Sequence, residues 1–321
     1  MSIVANLIAE LCPDGVPFRP LASLGRRNKG TAITAAKMKL LALSPGPVRV
    51  FAGGQTIADV AESDIPAKDV VREPSFIVKS RGHIGFSYYD APSTHKSELW
   101  SYTITSPSAI QKFVYYYLLT QLPKLQNTAR ATSVKLPQLS IKDTDTLEIP
   151  VPPLPVQQEI VRILDMFTQL EARRYQYDYY RNALFADIDT SGEWRSLGLH
   201  GVSQRGSALQ KIHLTDKGAP CFHYGEVYTH YGISAYETKS FVTEEFSVGK
   251  MVLQPGDLFI ATTSENEEDL GKAVAWLGKT PAVASSDALT YRTDLDPRYV
   301  SHYFQVSTLI NKSFDMLRER K

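Results

Sequence analysis

Residues 147–170 read Leu-Glu-Ile-Pro-Val-Pro-Pro-Leu-Pro-Val-Gln-Gln-Glu-Ile-Val-Arg-Ile-Leu-Asp-Met-Phe-Thr-Gln-Leu. A strand-like segment, 147–149, runs into Pro150, Pro152, Pro153 and Pro155. Each proline fixes its own φ and biases the residue before it toward extended backbone, so the run is a stiff arm. Pro155 suits the first turn of a helix. An amphipathic pattern follows over residues 156–186 and predicts a helix of about 31 residues, roughly 45 Å long at 1.5 Å per residue. Its seam runs Val156, Ile160, Ile163, Phe167, Leu170, Arg174, Tyr177, Arg181, Leu184. The steps alternate four and three, the coiled-coil period, and the two arginines interrupt the apolar line in its second half. A lone helix of this length is not stable from propensity, so it must pack on something. A rigid arm feeding a long mid-chain helix is a device for setting a distance.

The chain has 321 residues, 43% hydrophobic and 21% charged, which fits a soluble protein of two domains. No stretch approaches about 18 uncharged apolar residues, so no membrane span is expected. The first ten residues lack the basic start and apolar core of a signal peptide. Cys12 and Cys221 read as free thiols of a cytoplasmic protein. The net charge of +1 is unevenly spread. Residues 1–150 hold 17 Lys/Arg against 12 Asp/Glu, and residues 190–321 hold 14 against 16. If the chain binds nucleic acid, a local basic surface or a charged partner must supply the phosphate contacts.

Outward from the helix, both flanks read as β-rich. In the first, a short helix ends at Cys12-Pro13-Asp14-Gly15, and strands are expected at 48–51, 75–78, 84–89 and 99–104, followed by a helix over 109–122. In the second, after a turn at Thr190-Ser191-Gly192, the same order recurs. Glu193-Trp194-Arg195-Ser196-Leu197 is similar to the segment 16–21. Gly256-Asp257-Leu258-Phe259-Ile260 is similar to Glu73-Pro74-Ser75-Phe76-Ile77. Ser286-Asp287-Ala288-Leu289-Thr290-Tyr291 falls where the segment 96–102 fell, and 296–304 matches the late helix. The common order implies two diverged copies of one domain. The expected fold is α+β, with two similar β-rich domains, 1–149 and 190–321, separated by the arm and long coiled-coil helix at 150–189. The second copy is expected to lack its own arm and long helix.

No catalytic constellation stands out. Gly278-Lys279-Thr280 invites a phosphate-loop reading, but the glycine that loop needs five positions earlier is Ala273. Cys221-Phe222-His223 has no second Cys/His pair at ligand spacing. Gly53-Gly54 marks a turn, and the acidic run 265–269 reads as a solvated loop. Asp296-Pro297-Arg298-Tyr299 reads as a helix start with proline in the first turn, not as an amino-methyltransferase signature.

What remains suits recognition. Three basic loops are expected: Arg26-Arg27-Asn28-Lys29-Gly30-Thr31, Lys79-Ser80-Arg81-Gly82-His83, and Asn127-Thr128-Ala129-Arg130-Ala131-Thr132. Lysine and arginine in loops neutralise phosphates, and Arg, Asn and Gln make bidentate contacts to base edges. The candidate DNA-binding residues are therefore Arg26, Arg27, Lys29, Lys79, Arg81 and Arg130. Arg205, Lys211 and Lys239 are the candidates in the more acidic second domain. The candidate helix-packing residues are Val156, Ile160, Ile163, Phe167, Leu170, Tyr177 and Leu184.

Ile149-Pro150-Val151-Pro152-Pro153-Leu154-Pro155-Val156-Gln157-Gln158-Glu159-Ile160-Val161, with Ile163-Leu164-Asp165 and Phe167, resembles the central conserved region of specificity subunits from type I restriction–modification systems. The opening Leu11-Cys12-Pro13-Asp14-Gly15-Val16 and the two-copy layout are similar too. The resemblance implies a non-catalytic subunit. Two target recognition domains would each read half of a split site in double-stranded DNA, and paired antiparallel long helices would fix their separation. Modification subunits would methylate adenine with S-adenosylmethionine, and a restriction subunit would add ATP- and Mg-dependent translocation and cleavage. No cofactor is expected in this chain itself. The absent second conserved region leaves an apolar seam on the long helix, and such a face signals a partner. Self-association, completion by a second polypeptide, and a truncated or silent form that only binds modification subunits all remain open.

Overall fold

The structure, a computed structural model, describes residues 3–132, 136–191, 196–264 and 270–306. The chain divides into two compact units, residues 1–170 and 171–321. The elements of the first unit are α1 (Ile3–Leu11), β1 (Phe18–Pro20), α2 (Leu21–Leu24), β2 (Gly25–Lys29), α3 (Ala35–Leu41), β3 (Val48–Phe51), β4 (Ile57–Val60), β5 (Ser75–Lys79), β6 (Gly85–Tyr89), β7 (Ser93–His95), β8 (Trp100–Ile104), α4 (Gln111–Thr132), α5 (Ile141–Asp145) and β9 (Glu148–Pro150). An antiparallel sheet runs β2-β8-β5-β6, and a smaller one runs β4-β3-β7, with β3 and β7 parallel. One face of the larger sheet packs Phe76, Val78, Trp100 and Tyr102 onto Phe113, Val114 and Leu118 of α4. Each such buried side chain is worth about 2 kcal/mol.

The proline arm is built as its sequence dictates. β9 pairs with β1, and the Val151 N–H continues the ladder to Pro17 O at 2.8 Å. The helix α6 (Leu154–Ser191) then starts with Pro155 in its first turn. It begins earlier and ends later than the expected 156–186. Thr190 and Ser191, read as a turn, are its last residues, and Gly192 lies outside the described residues. Two motif side chains fasten α6 to the first unit. The buried Gln157 donates from Nε2 to Ser108 O and Pro152 O (2.8 and 2.7 Å) and accepts the Ile110 N–H at Oε1 (2.9 Å). Asp165 accepts from Lys112 Nζ (2.7 Å) and Tyr116 OH (2.5 Å) on α4. The seam divides accordingly. Val156 is fully buried and Ile160 and Ile163 are half-buried, whereas Phe167 (58%), Leu170 (56%), Tyr177 (43%) and Leu184 (67%) remain exposed.

Two local expectations are corrected. The segment Arg26-Arg27-Asn28-Lys29 is the edge strand β2, not a loop, because β8 needs a partner on its free side and Gly25 lets the backbones approach. The third basic loop, 127–132, is the last part of α4. The helix runs through Pro123, whose interior position costs about 3 kcal/mol. Burial of Leu125 and Ala129 beyond it holds the helix on the core.

The second unit repeats the plan. Its elements are β10 (Gly201–Arg205), β11 (Ala219–Phe222), α7 (Tyr224–Thr229), β12 (Ser234–Ala235), β13 (Ser240–Val242), α8 (Glu244–Ser247), β14 (Val252–Leu253), β15 (Leu258–Ala261), β16 (Ala273–Trp276), β17 (Ala282–Ala284), β18 (Ala288–Thr293) and α9 (Pro297–Tyr303). Its larger sheet runs β10-β18-β15-β16-β12, which contains the order β2-β8-β5-β6 with one strand added. Its smaller sheet keeps a parallel pair, β11 with β17, as β3 with β7. The matched segments recognised in the sequence fall on β5 and β15, on β8 and β18, and on α4 and α9. Residues 193–195 of the first proposed match and the acidic run 265–269 lie outside the described residues. Asp296 caps α9, accepting from the Arg298 and Tyr299 N–H groups, with Pro297 first in the helix.

Candidate nucleic-acid interface

The three basic segments of the first unit have different fates. On β2, Arg26 donates to Glu73 Oε1 (3.0 Å) and to Asn28 Oδ1 (3.1 Å). Asn28 in turn donates to Ser101 and Thr103 on β8 (3.2 and 3.0 Å). Arg27, on the opposite face of the strand, donates to Asp145 Oδ2 (2.5 Å), and Tyr102 OH donates to the other oxygen of the same carboxylate (2.6 Å). Burial, followed by this bond to Asp145, pushes the Tyr102 hydroxyl far up, so it stays protonated and donating. Both arginines therefore hold the edge strand to its own unit. Lys29 is exposed at the end of the strand, with no ion pair among the described residues.

The second and third segments meet. Gly82, at φ +72°, closes the turn after β5 in a backbone conformation that side chains resist. The Leu139 N–H donates to Ser80 O (2.8 Å) and the Gly82 N–H to Pro137 O (2.9 Å), and the backbones of Arg81 and Gln138 form an antiparallel β-bridge. The Gln138 N–H donates to Ala129 O (3.3 Å), and Gln126 Nε2 on α4 donates to Ile84 O (3.3 Å). These bonds bring the 79–83 turn, the end of α4 and the strip 136–139 to one corner. Arg81, His83 and Arg130 are exposed there. Lys79 is half-buried at the end of β5, and burial lowers the pKa of its ammonium. The sequence reading missed Gln138. Its signal was local: it lies between Pro137 and Leu139, just before the helix-capping Ser140 and Asp143 of α5.

In the second unit the three chosen cations are not gathered by any hydrogen bond among the described residues. Arg205 ends β10 and donates from Nε to Ser286 O (2.9 Å). Lys211 lies exposed in a short helical turn. Lys239 is exposed, and its backbone N–H donates to Tyr231 OH (2.7 Å).

Among the described residues, no three His, Cys, Asp or Glu side chains could hold a metal ion. Cys221 is buried, and burial with the nearby Glu226 pushes its thiol up to about 12, so it is not a thiolate nucleophile at neutral pH. His223 is spent capping α7, accepting the Gly225 N–H at Nδ1 (3.3 Å). No described helix is long and apolar enough to cross a membrane.

Comparison with known proteins bears on this arrangement. Residues 45–176 match the family model of the type I restriction modification DNA specificity domain. The chain is 36% identical over 113 residues to the type I restriction enzyme EcoR124I/EcoR124II specificity subunit of Escherichia coli, covering 31% of this chain and 27% of that protein. It is 36% identical over 107 residues to a putative type I restriction enzyme specificity subunit of Haemophilus influenzae, covering 27% of this chain and 26% of that one. The matches thus span about a quarter of these relatives' length. The type I restriction-modification S subunit of M. genitalium shares the fold, with a TM-score of 0.51 at 16% identity, over 94% of this chain and 80% of that one. The likeness to the type I restriction modification DNA specificity domain covers residues 45–176, less than half of the chain.

Proposed function

We propose that this chain, with the likeness over 45–176 as premise, is a non-catalytic subunit that reads DNA sequence on behalf of partner enzymes. The observation that carries the reading is the corner of the first unit where the Gly82 turn, the end of α4 and the strip 136–139 meet, segments that carry Lys79, Arg81, Arg130 and Gln138. Cations there would grip phosphates, and the arginine and glutamine side chains are of the kinds that pair bidentately with guanine and adenine edges. Lys29 would add a phosphate contact. Arg205, Lys211 and Lys239 would serve the second unit, which would read the other half of a bipartite site. The domains would be 1–149 and 190–321, with 150–189 as the arm and spacer.

Methylation with S-adenosylmethionine, and ATP- and Mg-dependent restriction, would belong to the modification and restriction subunits. The exposed part of α6, from Phe167 to Leu184, would be covered by a second copy or a second polypeptide. The test is methylation by a cognate modification subunit, with and without this chain, on a library of DNA targets. The chain is expected to set which targets are methylated. Retention of the modification subunit without any change of target choice would instead favour a scaffold role, for which the exposed α6 face is the motivating feature.

A further inference from the structure

The two units differ in chemistry at one register position of their smaller sheets. Three pairs of bonds fix their correspondence. The Lys96 N–H donates to Phe51 O (2.9 Å), as the Ser285 N–H does to Phe222 O (3.1 Å). The Thr31 N–H donates to His95 O and the Ser207 N–H to Ala284 O, both at 2.8 Å. The Leu43 N–H donates to Asp59 O (2.7 Å), as the Thr215 N–H does to Phe241 O (2.8 Å). Arg49 faces Asp59 across β3 and β4, and Pro220 faces Phe241 across β11 and β13. Arg49 therefore corresponds to Pro220, and Asp59 to Phe241.

In the first unit this place is filled. Arg49 grips Asp59 with two hydrogen bonds, 2.7 and 2.8 Å, and its guanidinium carbon lies 4.9 Å from the centroid of the Tyr89 ring. In the second unit both charges are gone and a cavity of about 480 Å³ stands there, lined by Pro220 and Phe241 with Tyr236, Glu237, Thr238 and Trp276. Its wall is held: Trp276 Nε1 donates to Thr280 O (2.9 Å), and Gly278 passes so close to the indole that a Cβ would fall 2.1 Å from it. Thr238 is only 9% exposed, and its hydroxyl has no hydrogen-bond partner among the described residues. Glu237 is exposed at the rim and makes no ion pair among the described residues.

We propose that this cavity is a docking pocket for an arginine side chain of a partner polypeptide, which enters where the first unit keeps an arginine of its own. A guanidinium has flat faces that stack on aromatic rings and an edge rich in donors. Tyr236 and Phe241 supply the faces, and the Glu237 carboxylate at the rim supplies the acceptor. Lys279, also in the lining, opposes a cation. It is the group that separates this occupant from a nucleotide, which would also stack on the rings but would favour Lys279 and be repelled by Glu237. The proposal stands apart from the DNA reading and needs no DNA for its test.

The intact chain, with its aromatic rings isotopically labelled, is titrated with N-acetyl-arginine amide and, separately, with deoxyadenosine monophosphate, and the ring signals of Tyr236 and Trp276 are followed by NMR. Saturable shifts with the arginine probe are expected. Glu237→Gln and Tyr236→Ala should each weaken binding about fivefold, and Lys279→Gln should tighten it. All three residues are exposed, so the variants should fold, and their unchanged core ring signals would show it. The proposal is overturned by an absence of saturable shifts, by arginine binding indifferent to Glu237→Gln, or by preferential binding of the nucleotide that Lys279→Gln weakens.

Discussion

The two units share strand order, parallel pairing and even their close backbone approaches, yet they spend their polar side chains differently. The first unit closes its small sheet with Arg49, Asp59 and Tyr89 and keeps β2 in place with Arg26 and Arg27. The second leaves Pro220 and Phe241 beside an open cavity and its cations scattered. The shared part is backbone hydrogen bonding, which many sequences can satisfy. The differing part is side-chain chemistry on that frame, where duplicated domains are free to diverge in what they bind.

The largest expected effect tests the frame itself. Gly30 and Gly206 occupy matching positions, and a Cβ would lie 2.4 Å from His95 O in one and 2.0 Å from Ser285 O in the other. Gly30→Ala and Gly206→Ala should each destabilise by about 3 kcal/mol, read from urea unfolding, because backbone must move to relieve the clash. If only one of them is harmful, the equivalence of the two units fails. Next, on the proposed function, Arg81→Ala should weaken DNA binding by the intact chain with a modification subunit about tenfold and lower the slope of log affinity against log salt by about 1. Arg26→Ala should leave that slope unchanged, since its guanidinium is already engaged by Glu73. Equal effects of the two would erase the distinction between strand-holding cations and those proposed to face DNA.

Smaller still is the ion pair that only the first unit owns. The hydrogen bonds from Arg49 hold the Asp59 carboxyl below its ordinary value, against the opposing push of burial. A depressed carboxylate stabilises fully above its unfolded pKa and loses that contribution as pH falls through the folded one. The increment, about 1 kcal/mol for a partly exposed pair, should therefore decline below about pH 4. Asp59→Asn should remove this pH dependence from the first unit and leave the second unit's unfolding unchanged. The smallest effect is expected at Lys239→Ala, about a twofold loss of DNA affinity, because an isolated exposed cation gives one screened phosphate contact.

The long helix was legible because proline acts locally: four prolines in six residues followed by a seven-residue apolar period leave little choice. The strands expected at 48–51, 75–78 and 84–89 were legible from alternation, apolar runs and aromatic or β-branched content, and they fall on β3, β5 and β6. The fate of Arg26 and Arg27 was not. Nothing in Arg-Arg-Asn-Lys separates a basic loop from an edge strand, and the decision rests with β8, Glu73 and Asp145, which lie 45 or more residues away. The extension of α4 through Pro123 was hidden for the same reason, since the burial that rescues it is tertiary.

By itself, then, the sequence determined the arm, the long helix, several of the strands and the presence of two similar copies, because proline stiffness, hydrophobic period and repetition are properties of neighbouring residues. Only the tertiary structure decided which cations are consumed by carboxylates, that residues 79–83 and the end of α4 form one corner, and that a charged pair in one copy is a cavity in the other. Those outcomes depend on distances between residues far apart in the chain, which are set by sheet register and helix packing.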